Sequence, residues 1–430
     1  MAILPKYFNM HIMQIQRDFY LQQLIDGKQN GLIKIITGIR RCGKSYLLFT
    51  LFYQYLKNSG VTENHIIKIA LDDIESADLR DPIALYKYIK AKMVDDDLYY
   101  ILLDEVQLVA RFEEVLNSLL RMDNADVYVT GSNSKFLSSD IITEFRGRGD
   151  EIRLYPLSLS EYCDGTGLKP YEAWKDYYTY GGLPHVLTLE TEKKKLDYLS
   201  NLFESVYLLD LLECHRVKNK SEFEDLVRIV ASSIGAPTNT AKLSNTFKSV
   251  KKVAISYNTI DKYLGYMQDA FIIEKATRFD IKGKKYIGSL AKYYFTDMGL
   301  RNAVLGLRQQ EESHIMENVI YNELRRRGCK VDVGIMEQRY VSKDGKWQRK
   351  QLEVDFVVNE GSQKYYIQSA LVMPDEEKRK QEMASLLRIG DSFKKIIIVK
   401  DDIKPWTDEN GILTMGLMDF LMGDTKDLNI

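Results

Sequence analysis

Residues 38–45 read Gly-Ile-Arg-Arg-Cys-Gly-Lys-Ser, and no other stretch limits the fold so tightly. A G-x-x-x-x-G-K-S octet works only where a strand gives way to a helix. The glycines let the chain turn so that successive N–H groups point inward at an anion, and the helix start adds its positive end. The flanks fit. Leu32-Ile33-Lys34-Ile35-Ile36 is an apolar run suited to a buried strand, and Ser45-Tyr46-Leu47-Leu48-Phe49 continues as a helix. Gly38 and Gly43 shape the turn, and the segment Arg41, Cys42, Gly43, Lys44, Ser45 and Tyr46 cradles phosphates. Lys44 reaches the β- and γ-phosphates, and the Ser45 hydroxyl ligates the metal. The expected cofactors are ATP and Mg²⁺.

A chain of 430 residues, 45% hydrophobic and 28% charged, has room for several packed cores. Its net charge of −1 supplies no global attraction to nucleic acid or to anionic membranes, so any DNA contact must be local. The cysteines (Cys42, Cys163, Cys214, Cys329) are far apart and read as reduced thiols, and the histidines lack metal-ligand spacing. No signal-type or membrane-spanning run is found, so a cytoplasmic protein without membrane contact is expected.

From residue 31 to 155, apolar strands (32–37, 66–71, 99–103, 127–131, 152–155) alternate with helical stretches (44–57, 83–94, 111–122). That alternation predicts an α/β core with a mostly parallel sheet. Tyr99-Tyr100-Ile101-Leu102-Leu103 runs into Asp104 and Glu105. A buried strand ending in two acids delivers them to the crevice where such sheets bind ligands. Asp104 suits holding hydrated Mg²⁺, and Glu105 suits polarising the attacking water. A strand followed by a solvated acidic turn would give the same letters. The octet upstream favours the catalytic reading.

Beyond Val127–Thr130, Asn133 is the first candidate to orient the water and Ser132 the second, although a capped turn uses the same residues. Arg148, with Arg146 as the alternative, could bring positive charge to a γ-phosphate, often that of a neighbouring subunit. A surface ion pair is the plain alternative.

Together, the octet, Leu103-Asp104-Glu105-Val106-Gln107, Thr130-Gly131-Ser132-Asn133-Ser134, Arg146-Gly147-Arg148, Tyr155-Pro156-Leu157-Ser158-Leu159-Ser160-Glu161-Tyr162 and Gly181-Gly182-Leu183-Pro184 carry a family likeness. The chain resembles the bacterial and archaeal AAA+-type P-loop ATPases that have a C-terminal resolvase-like domain of unknown function. The resemblance implies a strand inserted between those of the octet and of Asp104, a helical lid over the nucleotide, and homo-oligomeric assembly. Where relatives carry an arginine after Asp210, this chain has Cys214-His215-Arg216, and Arg216 is the only substitute at hand. The expected division is an ATPase core (1–155), a lid (156–220), a winged-helix-like part (221–300) and a small α/β restriction-endonuclease-like part (301–430).

In the third part, Ile260, Leu264 and Met267 form a core-facing stripe, with Asn258 and Lys262 on another face. A strand and a basic hairpin tip with Lys282, Lys284 and Lys285 follow. Helix–turn–helix plus a basic wing is a layout for binding double-stranded DNA. Winged helices also mediate protein contacts, and tip lysines also serve solubility.

The tail carries the pieces of a PD-(D/E)xK nuclease that the resemblance suggests: Glu317 on a helix, Asp355 on a strand, and Gln368 on the next. Such chemistry needs a second acid and a lysine, where this chain has Gln368 and Ala370. Lys364 shares their strand face but lies ~20 Å along it from Ala370, and Lys378 or Lys380 on the next helix could reach in. The expectation is a degenerate site retained for binding or assembly. Arg325-Arg326-Arg327 reads as a solvated helix end. The leading function is a Mg²⁺-dependent ATPase coupled to DNA or a partner. The alternatives are a nucleotide-switched scaffold without DNA binding and an ATP-dependent nuclease.

Overall fold

Five short apolar runs build the first sheet. In the computed structural model, which describes residues 15–131, 145, 147–308, 311–341, 344–373 and 375–423, they form β1 (Ile33–Thr37), β2 (Ile66–Ala70), β3 (Tyr99–Asp104), β4 (Ala125–Thr130) and β5 (Gly149–Arg153). All neighbours pair in parallel, in the order β2-β3-β4-β1-β5. β1 and β3 are buried along their whole length, as strands covered on both faces must be. β4 lies between them, so the inserted strand is present. One face packs on Leu47, Leu48 and Phe52 of the helix that follows β1, the other on Leu85, Ile89, Val115 and Leu116. Lys34, inside the apolar run, is buried against Asp126 of β4, which supplies the counter-charge. Because every strand runs the same way, Thr37, Ala70, Asp104, Thr130 and Arg153 all end on one edge.

Helices follow to Cys214. A Ser158–Glu161 capping box starts the first of them, Leu159–Thr166. At Gly181-Gly182 the chain breaks around a single carboxylate. Gly181 has φ +76, and a Cβ there would collide with Asp297, while one on Gly182 would collide with the Leu157 carbonyl. The Gly182 N–H donates to Asp297 Oδ2 at 2.8 Å. Only glycine fits that approach.

The second half begins with helices Lys220–Ser232 and Thr240–Thr246, then Tyr257–Asp269, whose Ile260, Leu264 and Met267 are buried while Asn258 and Lys262 are exposed. A hairpin follows, β6 (Ile273–Asp280) and β7 (Lys285–Phe295), with Lys282, Lys284 and Lys285 exposed at its turn. It is one margin of an eight-stranded sheet with β8 (Lys330–Val341), β9 (Trp347–Glu360), β10 (Gln363–Ala370), β11 (Lys394–Val399), β12 (Trp406–Thr407) and β13 (Ile412–Gly416). The order is β12-β13-β11-β10-β9-β8-β6-β7. β6 pairs in parallel with β8 from Arg278↔Val333 to Asp280↔Ile335, so this sheet runs across residue 300.

The helix Glu312–Arg326 does not end in solvent, and the solvated reading of its three arginines is corrected. Arg325 Nε binds Glu274 at 2.8 Å, while Arg326 and Arg327 bind Glu323 at 2.6 and 2.7 Å. Two buried carboxylates supply the counter-charges, so the helix end packs inward. No helix among the described residues is long and apolar enough to cross a membrane.

Candidate nucleotide site

The loop after β1 has the backbone its letters require. Gly38, Arg41 and Gly43 take positive φ values of 138°, 66° and 103°. A side chain on Gly38 would collide with the Leu154 carbonyl at the end of β5. Cys42 is fully buried and turns its thiol to that carbonyl at 3.6 Å. Lys44 is buried too, and its ammonium folds over the loop to donate to the Gly38 and Ile39 carbonyls at 2.9 and 3.1 Å. Ser45 is exposed at the helix start, and Tyr46 is half-buried behind it.

Asp104 meets this loop from the end of β3. Its carboxylate accepts from Thr130 Oγ1 at 2.5 Å and is hydrogen-bonded to the Ser45 hydroxyl. Burial pushes its pKa up, against those two hydrogen bonds. The Thr130 hydroxyl also accepts from the Glu105 N–H at 3.0 Å, so one side chain fixes both acids. Glu105 takes a left-handed φ of 54°, which swings it off the strand line, and its carboxylate accepts from Gln107 Nε2. Ser45 and Asp104 offer hard oxygen ligands of the kind Mg²⁺ prefers.

Thr130 and Gln107, which hold the two acids, are not among the site residues that the sequence proposes. The end of β4 is the expected place for a polar group, but the sequence points to Asn133 and Ser132, which lie outside the described residues, as does Arg146. The structure does not bring Arg148 to its own loop. It stands at the opposite end of β5, beside Ile33, and donates to Asn117 Oδ1 at 3.0 Å.

Two further contacts grip the loop. Arg17, buried, donates to the Tyr155 carbonyl at 2.7 Å and the Cys42 carbonyl at 3.4 Å, and pairs with Glu161 at 3.0 Å. Arg40 pairs with Asp210 of the helical region, and Tyr207 donates its hydroxyl to the Arg40 carbonyl. Arg153, at the same edge of the sheet as the loop, joins Glu274 at 2.7 Å, and Glu274 also receives Tyr155 Oη at 2.7 Å. Burial would raise the Glu274 pKa, but the Arg153 and Arg325 guanidiniums outweigh it and hold the carboxylate below its ordinary range.

In the tail, Glu317 and Asp355 come together, but around an unforeseen cation. Lys292 of β7, 2% exposed, places its ammonium 2.8 Å from Glu317, 2.8 Å from Glu353 and 3.7 Å from Asp355. Burial alone would discharge Lys292, but the three carboxylates outweigh it and raise its pKa. Burial and the Glu317 charge push Asp355 up to about 7. Gln368 approaches Asp355 through its backbone, accepting from the Asp355 N–H at 3.4 Å. Lys378 instead pairs with Glu382 at 2.6 Å. A lysine inside the apolar run Ala291–Phe295 was the signal available for Lys292. Elsewhere His65 lies near Asp95 and Asp97 on an exposed turn, at 3.2 and 3.7 Å.

This sheet, loop and acidic edge define a P-loop ATPase domain of the AAA class, and residues 30–163 match the AAA domain family. Residues 171–311 match a domain of unknown function. Over nearly its whole length the chain belongs to one family with an uncharacterized protein of Haemophilus influenzae. The two are 33% identical over 414 residues, 95% of this chain and 98% of that one. An uncharacterized protein of Methanocaldococcus jannaschii is 28% identical over 412 residues, 90% of this chain and 86% of that one. Among solved structures, the Walker-type ATPase PABY2304 of Pyrococcus abyssi aligns with 15% identity and a TM-score of 0.48, over 68% of this chain and 96% of that one.

Proposed function

We propose that the protein is a Mg²⁺-dependent ATPase whose hydrolysis cycle is coupled to duplex DNA or a partner bound by its C-terminal half. The observation that carries this reading is Asp104 held by both Ser45 and Thr130 beside the loop that contains Lys44. Lys44 exchanges the Gly38 and Ile39 carbonyls for the β/γ-phosphates, and Ser45 and Asp104 hold the metal. Mg²⁺ when bound neutralises charge developing on the phosphates. Glu105, steadied by Gln107, polarises the attacking water, with Asn133 orienting it. Arg148 faces away from its own loop, which suits action on the nucleotide of a neighbouring subunit in a homo-oligomer. The helical region that grips Arg40 is the lid, and the cytoplasm is the setting. The helices before β6 and its hairpin act as a winged helix, with Asn258, Lys262, Lys282, Lys284 and Lys285 toward DNA. Residues 301–430 are read as an endonuclease-like part retained for binding.

The expected results are lost nucleotide binding in Lys44→Ala, and retained binding with hydrolysis largely abolished in Glu105→Gln. Normal turnover in the second variant would overturn the assignment of the base. Duplex DNA should stimulate the ATPase several-fold. Absence of both binding and stimulation at low salt would favour a nucleotide-switched scaffold instead.

One observation favours a second reading. Lys292 brings to Glu317, Glu353 and Asp355 the cation that Ala370 cannot supply, which is the donor set of a metal-dependent phosphodiesterase. Plasmid cleavage with ATP and Mg²⁺ or Mn²⁺, abolished by Asp355→Ala, would establish an ATP-dependent nuclease. Intact plasmid would leave the cluster as a buried ion network.

A further inference from the structure

β8 and β9 outrun their sheet. β6 stops pairing with β8 at Ile335, and β10 pairs with β9 only from Glu360 to Phe356. From Met336↔Leu352 to Val341↔Trp347 the two strands pair only with each other. At about 3.3 Å per residue this two-stranded ribbon reaches roughly 20 Å beyond the body of the sheet.

Its surface is unlike a core. Lys346, Trp347, Arg349, Lys350 and Gln351 are all exposed, Trp347 at 75% and the side chain of Arg349 at 68%. Glu337, facing Arg349 at 3.2 Å, balances one of these charges. Edge lysines by themselves deter unwanted strand pairing. They do not account for a tryptophan held out in water, on a ribbon of a kind that is marginally stable alone.

A second basic feature stands at the ribbon's base. The Ile281 N–H donates to the Ile335 carbonyl at 2.9 Å, so the β6–β7 turn with exposed Lys282, Lys284 and Lys285 flanks the point where the ribbon leaves the sheet. Tip and ribbon therefore set two basic clusters at one end of the sheet, on a chain whose net charge is only −1.

We propose that the β8–β9 ribbon is a duplex-DNA-binding arm. It lies in the major groove, which admits a two-stranded ribbon, with Lys346, Arg349 and Lys350 reaching groove-lining phosphates and bases and Trp347 packing on the groove wall. Lys282, Lys284 and Lys285 meet the phosphate backbone beside the entry point. The proposal rests on the DNA-coupled reading given above and assigns it a surface.

The test measures fluorescence anisotropy of a labelled duplex of about 30 base pairs, titrated with the full-length protein at several salt concentrations. The variants are Lys346→Glu/Arg349→Glu/Lys350→Glu and, separately, Trp347→Ala. The triple variant should bind at least tenfold more weakly. Its salt dependence should also be shallower, by about 0.9 for each phosphate the arm no longer neutralises. Trp347→Ala should weaken binding severalfold. Unchanged basal ATP hydrolysis and circular dichroism in both variants show that the fold survives. If the wild-type protein binds duplex and both variants bind equally well, the arm is refuted while DNA coupling stands. If the wild-type protein does not bind duplex at low salt, DNA coupling fails and the proposal fails with it. Preference for single strands over duplex likewise overturns the groove assignment.

Discussion

One hydroxyl holds the two proposed catalytic acids in register. Thr130 donates to Asp104 and accepts from the Glu105 backbone, so Thr130→Val removes both links without changing the side chain's shape. Leaving buried polar groups unpaired costs about 1–3 kcal/mol. Turnover should fall about tenfold for each ~1.4 kcal/mol of lost positioning, with nucleotide affinity much less affected. Steady-state kinetics and equilibrium binding separate the two effects. Asp297 makes a different prediction. Burial raises its pKa from the ordinary 3.8 to about 6, against N–H donors from Leu300, Gly182 and Gly299. The native state thus holds this proton more tightly than the unfolded chain. Its stabilising contribution is fully present below pH 4 and is lost as pH rises through about 6. The loss is on the order of 3 kcal/mol. Denaturant titrations of wild type and Asp297→Asn should diverge across that window and run parallel above and below it.

At the scale of elements, Glu274 ties three pieces together: β5 through Arg153, its own strand β6, and the helix Glu312–Arg326 through Arg325. Glu274→Ala leaves two half-buried guanidiniums without their carboxylate and should destabilise the protein by about 3 kcal/mol, read from its urea midpoint. The first sheet is legible in the sequence because strands covered on both faces are written as apolar runs, and each observed strand lies within a few residues of its expected place. The phosphate loop and Asp104 are legible for the same reason, since local letters fix them. Partners brought from afar are not. Arg17 and Glu274 find counter-charges over 100 residues away, in Glu161 and Arg153, and Lys292 finds its own on a later helix and on β9, beyond the reach of any spacing rule. The ribbon is not legible either. The sequence predicts strands at 329–333 and 352–358, because residues 337–351 are almost all polar and lack the alternation that marks a half-buried strand.

For the whole molecule, Arg148 offers a test of whether one chain or several carry out hydrolysis. It lies at the end of β5 opposite the loop, so a catalytic role requires a neighbour. Arg148→Ala should then bind nucleotide normally yet lose hydrolysis by about 10³-fold. Adding Lys44→Ala protein, itself expected not to bind nucleotide, should restore part of the activity by lending its intact arginine. No rescue at any mixing ratio, together with a monomeric size in ATP, would limit Arg148 to its bond with Asn117.

The eight-stranded sheet also bears on how such a chain can be assembled from parts. β6 and β7 are made before residue 300 and β8 to β13 after it, yet β6 is hydrogen-bonded to β8, and Lys292 of β7 is neutralised by Glu317 and Glu353 from the later segment. Neither segment is a finished unit without the other. Recombination that swapped the tail alone would strip a sheet of its neighbour and bare a lysine. In any descendant of this chain the hairpin and the tail should therefore be inherited together.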